Sequence, residues 1–179
     1  MSSLYSISVP VMLDILTATK AVLTKGGEHA RSTGAPISEY LGARIYEDMF
    51  PLRTQVFIVC NTVRKAVERL TGAAPPGDLG GDAQKERSFE ELLAAVDDTA
   101  ALLEGVAPES VDGRERLRGP CELGPRKFDV DVVDYIRGYS IPTAFFHVNM
   151  LYALLRGKGV PLGKMDYLTP FLSPFEPKN

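Results

Sequence analysis

The sequence predicts an all-α protein, a four-helix bundle with one long crossover, and three observations support this fold class. Apolar residues recur every three or four positions in four long segments, which is the spacing of one face of an amphipathic helix. Strand-like alternation is confined to a short segment near residues 115–130. A chain of 179 residues with 45% hydrophobic and 24% charged residues fits one domain with its own core, so we expect a single domain over residues 1–179.

The first predicted helix begins near the N-terminus. Ser8 is a residue type that caps helices, and apolar residues follow it on one side to about Lys25. Because glycine favours the left-handed conformation that ends many helices, we expect this helix to stop at Gly26 and Gly27. A short helix capped by Ser38 should follow.

The next two long helices flank a flexible segment. One is opened by Pro51, carries a regular apolar stripe and should end at Gly72. Residues 72–86 are rich in glycine, proline and charge, which predicts a loop inside the domain. Ser88 and Glu91 then have the spacing of a capping box, so another helix should start there.

The last long helix is the most hydrophobic. Before it, residues 115–130 contain two Gly-Pro pairs and short alternating pieces that predict a minor hairpin. Asp131 or Asp129 can cap the helix, and Pro142 either kinks or restarts it. Almost every position from Pro142 to Arg156 is apolar, which predicts burial on most sides. The proline- and aromatic-rich tail should form an extended C-terminal strap.

Composition and charge exclude several classes of function. A net charge of −3 is unfavourable for binding a phosphate backbone, so no nucleic-acid partner is expected. Cys60 and Cys121 are too far apart in sequence for a ligand motif or a disulfide framework. The N-terminus lacks the basic segment of a signal peptide, and we expect no apolar stretch long enough to span a bilayer. These features predict a cytoplasmic protein without a membrane partner.

Three stretches together resemble an uncharacterised family of bacterial and fungal proteins related to the DinB/YfiT-like four-helix bundles. They are LYSISVPVMLDIL, ARIYEDMFPLRTQVFIVCNTVRKAVERLTG and IPTAFFHVNMLYALLRGKGVPLGKMDYL. The specific parts are D-M-F-P-L-x-x-Q, from Asp48 to Gln55, and F-x-H followed by L-R-x-x-G-V, from Phe145 to Val160. The resemblance covers nearly the whole chain and implies a DinB-like bundle of the up-down-down-up type.

The resemblance also implies a divalent metal held by three histidines and, in some members, thiol-dependent transferase activity. This chain has only two histidines, and His29 lies just past the predicted end of the first helix. Asn61 stands where the subfamily carries an aspartate. We therefore expect no metal and no other cofactor, because too few ligands are present. A mixed site of His147, Gln55 and a carboxylate is the remaining alternative for a metal.

His147 carries the functional hypothesis. On a helical wheel of residues 142–156 it falls among apolar residues and faces the bundle interior. It is either a core imidazole with one hydrogen-bonded nitrogen or a neutral general base, since burial lowers the pKa of histidine. Gln55, one turn into its own helix at the edge of an apolar stripe, should orient a ligand or the imidazole.

Two functions therefore remain open. The first is a cofactor-independent isomerase, cyclase or dehydratase for an apolar aromatic or phenolic small molecule, for example in secondary metabolism, with His147 and Gln55 as catalytic residues. The residues expected to bind the substrate are Tyr5, Thr62, Tyr139, Phe146, Met150 and Tyr152. The alternative is a non-catalytic ligand-binding or structural bundle that has lost the metal site. The apolar last helix and the tail also predict a homodimer.

Overall fold

Helices dominate the structure, a computed structural model that describes residues 3–75, 79 and 81–175. The long helices in this part of the chain are α1 (Leu4–Thr33), α3 (Leu52–Thr71), α4 (Phe89–Glu104) and α6 (Ile141–Gly157). The short helices are α2 (Ile37–Leu41), α5 (Val132–Tyr135) and α7 (Lys164–Leu168). Two 3-10 turns, Pro108–Ser110 and Thr169–Leu172, a π-helical turn, Ile136–Ser140, and strands β1 (Arg118–Leu123) and β2 (Arg126–Asp131) complete the described elements.

The long helices share one apolar core. α1 packs against α4 and α6, and α3 packs against the same two helices. Each helix contributes fully buried large side chains, for example Leu16, Leu70, Leu92 and Leu151. The apolar faces predicted from the spacing of residues therefore meet one another. The prediction of a mostly helical protein with one small hairpin is confirmed.

α1 is longer than predicted at its N-terminal end. Its N-cap is Ser3, whose hydroxyl accepts a hydrogen bond from the backbone N–H of Ser6 at 3.2 Å. Ser8, the predicted cap, is instead buried inside the helix, where its hydroxyl donates to the carbonyl of Leu4 at 2.6 Å. Because Ser3 already supplies the acceptor for the first turn, the helix needs no cap at Ser8.

α1 also continues through the two glycines that were expected to end it. A Cβ at Gly26 would lie 2.7 Å from Cδ2 of Leu155, and a Cβ at Gly27 would overlap the ring of Phe89. The glycines therefore let α6 and α4 approach the backbone of α1 closely. The predicted helix end is wrong, and the glycine that does follow the helix in the left-handed conformation is Gly34.

α1 is long and apolar enough, by length and composition alone, to cross a membrane. Its mean hydropathy reaches 1.5 over an 18-residue window, so the expectation that no stretch would have this length is wrong. Half of that window is buried inside the protein. Contacts with α4 and α6 account for the apolar character, because a core helix needs the same composition.

Local signals place several other helix ends correctly. α3 ends before Gly72, which is left-handed with φ 78°. At the start of α4, the hydroxyl of Ser88 accepts from the N–H of Glu91 at 3.1 Å, and the carboxylate of Glu91 accepts from the N–H of Ser88 at 2.6 Å. This reciprocal pair confirms the capping box. Ser38 does not cap α2, whose N-cap is Pro36 and has no side-chain hydrogen bond.

The hairpin leads into α6 through a π-helical turn. β1 and β2 pair antiparallel with Arg118 opposite Asp131, which confirms the hairpin predicted near residues 115–130. Asp131 caps α5 by accepting from the N–H of Asp134 at 2.8 Å. Pro142 lies in the first turn of α6. The π-helical turn precedes it because proline has no N–H to continue a regular helical ladder.

The C-terminal tail is not an extended strap. α7 and the turn Thr169–Leu172 both pack against α1. Asp166 of α7 forms an ion pair with Lys25 of α1 at 2.5 Å, and Phe171 packs against Phe145 with ring centroids 5.6 Å apart. Proline suits the first turn of a helix, so a proline-rich tail can fold into short helical turns.

Candidate functional site

Packing of α3 against α6 brings His147 and Gln55 into direct contact. Nδ1 of His147 lies 2.6 Å from Oε1 of Gln55. Gln55 is 3% exposed, one turn into α3, and His147 is half-buried on α6. The fold therefore brings together two residues that are 92 positions apart in the sequence, and of the two roles predicted for Gln55 this contact fits orientation of the imidazole.

The amide of Gln55 determines which imidazole nitrogen carries the proton. Its Nε2 donates to the carbonyl of Phe50 at 2.9 Å, so Oε1 is the atom that faces His147. An amide oxygen can only accept, which requires an N–H on Nδ1 of His147. The lone pair of the neutral ring is then on Nε2, outside this network. The backbone of Phe50 thus orients Gln55, and Gln55 orients the base.

Burial keeps the imidazole neutral. It lowers the pKa of His147 from 6.5 to about 4, because the protonated ring would lose hydration inside the protein. At neutral pH the ring is therefore uncharged and has one available lone pair. A neutral imidazole can accept a proton from a bound molecule, and with a pKa of about 4 it is a weaker base than an ordinary histidine.

Apolar side chains border the His147–Gln55 pair at the protein surface. The ring of Phe146 meets the imidazole edge-on, with centroids 5.1 Å apart. Phe146 is 54% exposed, and Pro142 and Asn149 of the same helix are exposed as well, so α6 is not buried on most sides as predicted. An exposed phenyl ring next to a polar pair suits an apolar or aromatic ligand better than an ion.

Some of the residues predicted to bind substrate lie on the same helices as this pair. Phe146 contacts the imidazole, and Met150 follows His147 by three positions on α6, which places it one turn further along the same side. Thr62 is buried on α3, seven positions after Gln55 and thus two turns away. These three residues therefore lie within two helical turns of His147 or Gln55 along the chain.

The three tyrosines of the prediction make other contacts. Tyr152 donates its hydroxyl hydrogen bond to the carbonyl of Leu162 at 3.2 Å. Tyr5 lies in the first turn of α1, where its backbone N–H donates to the carboxylate of Asp112 at 2.8 Å. Tyr139 lines a separate cleft beside the hairpin. None of these contacts is with the predicted base.

The described residues form no cluster suited to a metal. Among residues 3–75, 79 and 81–175, no group of three or more His, Cys, Asp or Glu side chains could hold an ion. His29 lies inside α1, not beyond its end as predicted, and its ring meets Tyr40 edge-on at 6.3 Å. Burial raises the pKa of Cys60 to about 12, so this thiol stays protonated and is a poor metal ligand.

Comparison with known proteins identifies the family of this chain. The model of a family described as "Domain of unknown function (DUF1993)" matches residues 4–168. The chain belongs to the DUF1993 family. No curated protein matches this DUF1993 chain. Among solved structures it is similar to the crystal structure of a DinB family member protein from Shewanella denitrificans. The two are 26% identical with a TM-score of 0.79, and the match covers 92% of this chain and 91% of that one.

These findings confirm that the protein belongs to an uncharacterised DinB-like family. A second group of polar side chains lies in this DUF1993 protein, away from His147. In the sequence, the basic residues between 114 and 127 alternate with Glu115 and Glu122, which is typical of a solvated hairpin or loop. In the structure, Arg114 is instead partly buried and lines a cleft of about 460 Å³. The partial burial of Arg114 becomes visible only in the structure, where the hairpin region packs against α3.

Proposed function

We propose that this DUF1993 protein is a cofactor-independent enzyme that uses His147 as a general acid–base in a DinB-like four-helix bundle. The supporting observation is the hydrogen-bonded series from the Phe50 carbonyl through Gln55 to Nδ1 of His147. It holds the ring in one tautomer and leaves the basic Nε2 for a substrate. Preorganisation of this kind is typical of catalytic bases.

The proposed chemistry is proton transfer within one small molecule. Nε2 of His147 accepts a proton from an acidic carbon or hydroxyl of the substrate, and Gln55 keeps its hydrogen bond to the Nδ1–H throughout. The resulting imidazolium is a stronger acid than that of an ordinary histidine, because burial disfavours the charged ring. It therefore returns the proton readily to a different atom, as isomerisation, cyclisation or dehydration requires.

The proposed substrate is apolar and carries an aromatic or phenolic ring. The exposed phenyl group of Phe146, which contacts the imidazole, offers a surface on which such a ring can stack. A second candidate function is purely structural, with His147 and Gln55 serving to join α6 to α3. The short 2.6 Å contact and the low exposure of Gln55 favour that role as well.

Deuterium exchange distinguishes the two functions without knowledge of the substrate. The protein is incubated in deuterated water with a panel of aromatic ketones and phenols, and deuterium uptake at carbon is followed by mass spectrometry. His147→Gln should lower the rate of exchange by a factor on the order of 10²–10⁴ with little loss of melting temperature. Gln55→Ala should lower it less, because it loosens orientation but keeps the proton acceptor.

His29→Gln is the matched control, since it removes the other histidine of the chain. It should leave the exchange rate unchanged. A folded His147→Gln protein that exchanges at the parental rate would contradict the catalytic role. Loss of stability in His147→Gln without any protein-dependent exchange in the parent would instead support the structural role.

A further inference from the structure

A cleft of about 460 Å³ lies between α3, the hairpin and α5, and its lining includes neither His147 nor Gln55. Its volume is within the range of small-molecule sites in proteins, roughly 300–1,000 Å³. The cationic side chains that line it are Lys65, Arg69, Arg114 and Arg118, and the carboxylates are Glu68 and Glu122. The cleft is therefore separate from the proposed base and has its own charge pattern.

Ion pairing leaves this cleft with excess positive charge. Arg118 pairs with Asp129 at 2.9 Å. Glu122 pairs with Lys127 at 3.2 Å. Among the described residues, the three remaining cations and the one remaining carboxylate, Glu68, form no ion pair. Cations grouped in a partly enclosed space attract an anion, because fewer counter-ions and less water screen them.

Arg69 is positioned by the backbone of the hairpin. Its guanidinium donates to the carbonyls of Gly119 at 2.7 Å and Val130 at 2.6 Å, one from each strand. It also lies over the ring of Tyr135, 5.0 Å from the centroid. Carbonyls and an aromatic face orient the guanidinium but do not neutralise its charge. Its buried Nε has no hydrogen-bond partner in the part of the chain that the structure describes.

Arg114 is a second cation whose hydrogen-bonding capacity is unused. Its Nε is buried without a partner, and its guanidinium forms no hydrogen bond or ion pair with any described residue. One terminal nitrogen lies against Gly72, where any Cβ would overlap it. The glycine that ends α3 therefore leaves the space in which Arg114 extends along the cleft. The terminal nitrogens of Arg114, unlike its Nε, are not buried, so an anion in the cleft can accept charge-assisted hydrogen bonds from them.

Two tyrosines give the same cleft an aromatic wall. The rings of Tyr135 and Tyr139 lie 5.4 Å apart, presented by α5 and by the π-helical turn that follows it. Interruptions of this type occur frequently at functional sites. Burial raises the pKa of Tyr135 to about 12, so its hydroxyl remains a hydrogen-bond donor at neutral pH.

We propose that this cleft binds a small organic anion, in which a carboxylate or phosphate group accepts hydrogen bonds from Arg69 and Arg114 and a planar ring packs against Tyr139, beside the edge of Tyr135. A polyanion such as a nucleic acid fits poorly, since the whole chain carries a net charge of −3. Lys65 lies exposed on α3 at the same cleft and adds positive charge where the anion would enter.

Titrations followed by the amide resonances of the full chain test this site. The probes are phenyl phosphate, benzoate, inorganic phosphate and, as the neutral compound, phenol. Phenyl phosphate or benzoate should cause saturable shifts in the hairpin and α5 below about 10 mM. Inorganic phosphate should bind more weakly, because it lacks the ring, and phenol should cause no saturable shift.

Arg114→Gln and Lys65→Gln should each weaken binding of the preferred aromatic anion, Arg114→Gln by about tenfold or more, since it removes a charge-assisted hydrogen bond. The matched control is Arg126→Gln, an equal change of charge at the exposed hairpin turn outside the cleft lining. Lys65 is exposed, so its substitution keeps the test valid if Arg114→Gln fails to fold.

Three results would overturn the proposal. The first is the absence of saturable shifts with every probe. The second is an equal loss of affinity in Arg126→Gln and in the cleft variants, which would show non-specific attraction. The third is binding of phenol as tight as that of phenyl phosphate and benzoate, which would remove the role of the anion.

Discussion

Acidification should destabilise this protein through His147 in particular. The pKa of His147 is about 4 in the folded protein, against 6.5 for an unperturbed histidine. As the pH falls through 6.5, the unfolded chain binds a proton that the folded protein does not. The stability contribution of the neutral ring is therefore complete above pH 6.5 and is lost progressively as the pH falls towards 4.

The size of this effect follows from the two pKa values. Between pH 7 and pH 5, a change from 6.5 to about 4 corresponds to a loss of about 2 kcal/mol in the free energy of unfolding. Solvent reaches the half-buried ring, which reduces the expected loss to about 1 kcal/mol. For 179 residues, this lowers the melting temperature by about 2–4 °C.

Melting temperatures of the parent and of His147→Gln at pH 7 and pH 5 isolate this contribution. All other titrating groups are common to both proteins, so the parent should lose more stability than the variant between these pH values. His147→Asn, whose amide nitrogen corresponds in position to Nδ1, is measured alongside, because it keeps a donor to Oε1 of Gln55. Equal losses in the two proteins would show that the environment of His147 does not disfavour its protonated form.

Two further substitutions test the geometry. Gln55→Glu should raise the pKa of His147 by about 1–3 pH units, because a carboxylate would face the ring nitrogen. NMR titration of the imidazole measures this pKa, and an unchanged value would contradict the contact between residue 55 and Nδ1 of His147. Gly27→Ala should destabilise the protein by about 1–3 kcal/mol in denaturant unfolding, because its Cβ would overlap Phe89. Gly157 has open space around it, so Gly157→Ala should be neutral or stabilising by up to about 1 kcal/mol. Equal changes in stability for Gly27→Ala and Gly157→Ala would show that close packing against Phe89 does not explain the effect at Gly27.

The sequence alone determined the features that depend on near neighbours along the chain. Ser88 and Glu91 form a capping box whatever the rest of the protein does, and Gly72 ends α3 because glycine adopts the left-handed conformation without strain. The hairpin follows in the same way from local turn signals. The spacing of apolar residues also gave the long helices and their inward faces, and the motifs gave the family.

The tertiary structure decided which side chains and helices pack against the apolar faces of the long helices. Gly26 and Gly27 have the local signature of a helix end, yet they lie inside α1 because Leu155 and Phe89 pack directly on its backbone. The long-range packing energy exceeds the modest cost of glycine within a helix, roughly 1 kcal/mol each. The sequence carries no signal of this approach, since the partners are far away along the chain.

The same limit applies to the two candidate sites. The sequence singled out His147 and Gln55 as polar residues on apolar faces, but the tautomer depends on the Phe50 carbonyl, which only the fold places beside the amide. The catalytic role of the pair stays a prediction. Arg114 looked solvated because its neighbours in sequence are polar, and only the packing of the hairpin against α3 encloses it. Charge state and burial depend on everything that surrounds a group in three dimensions, and for that reason the sequence alone did not determine them.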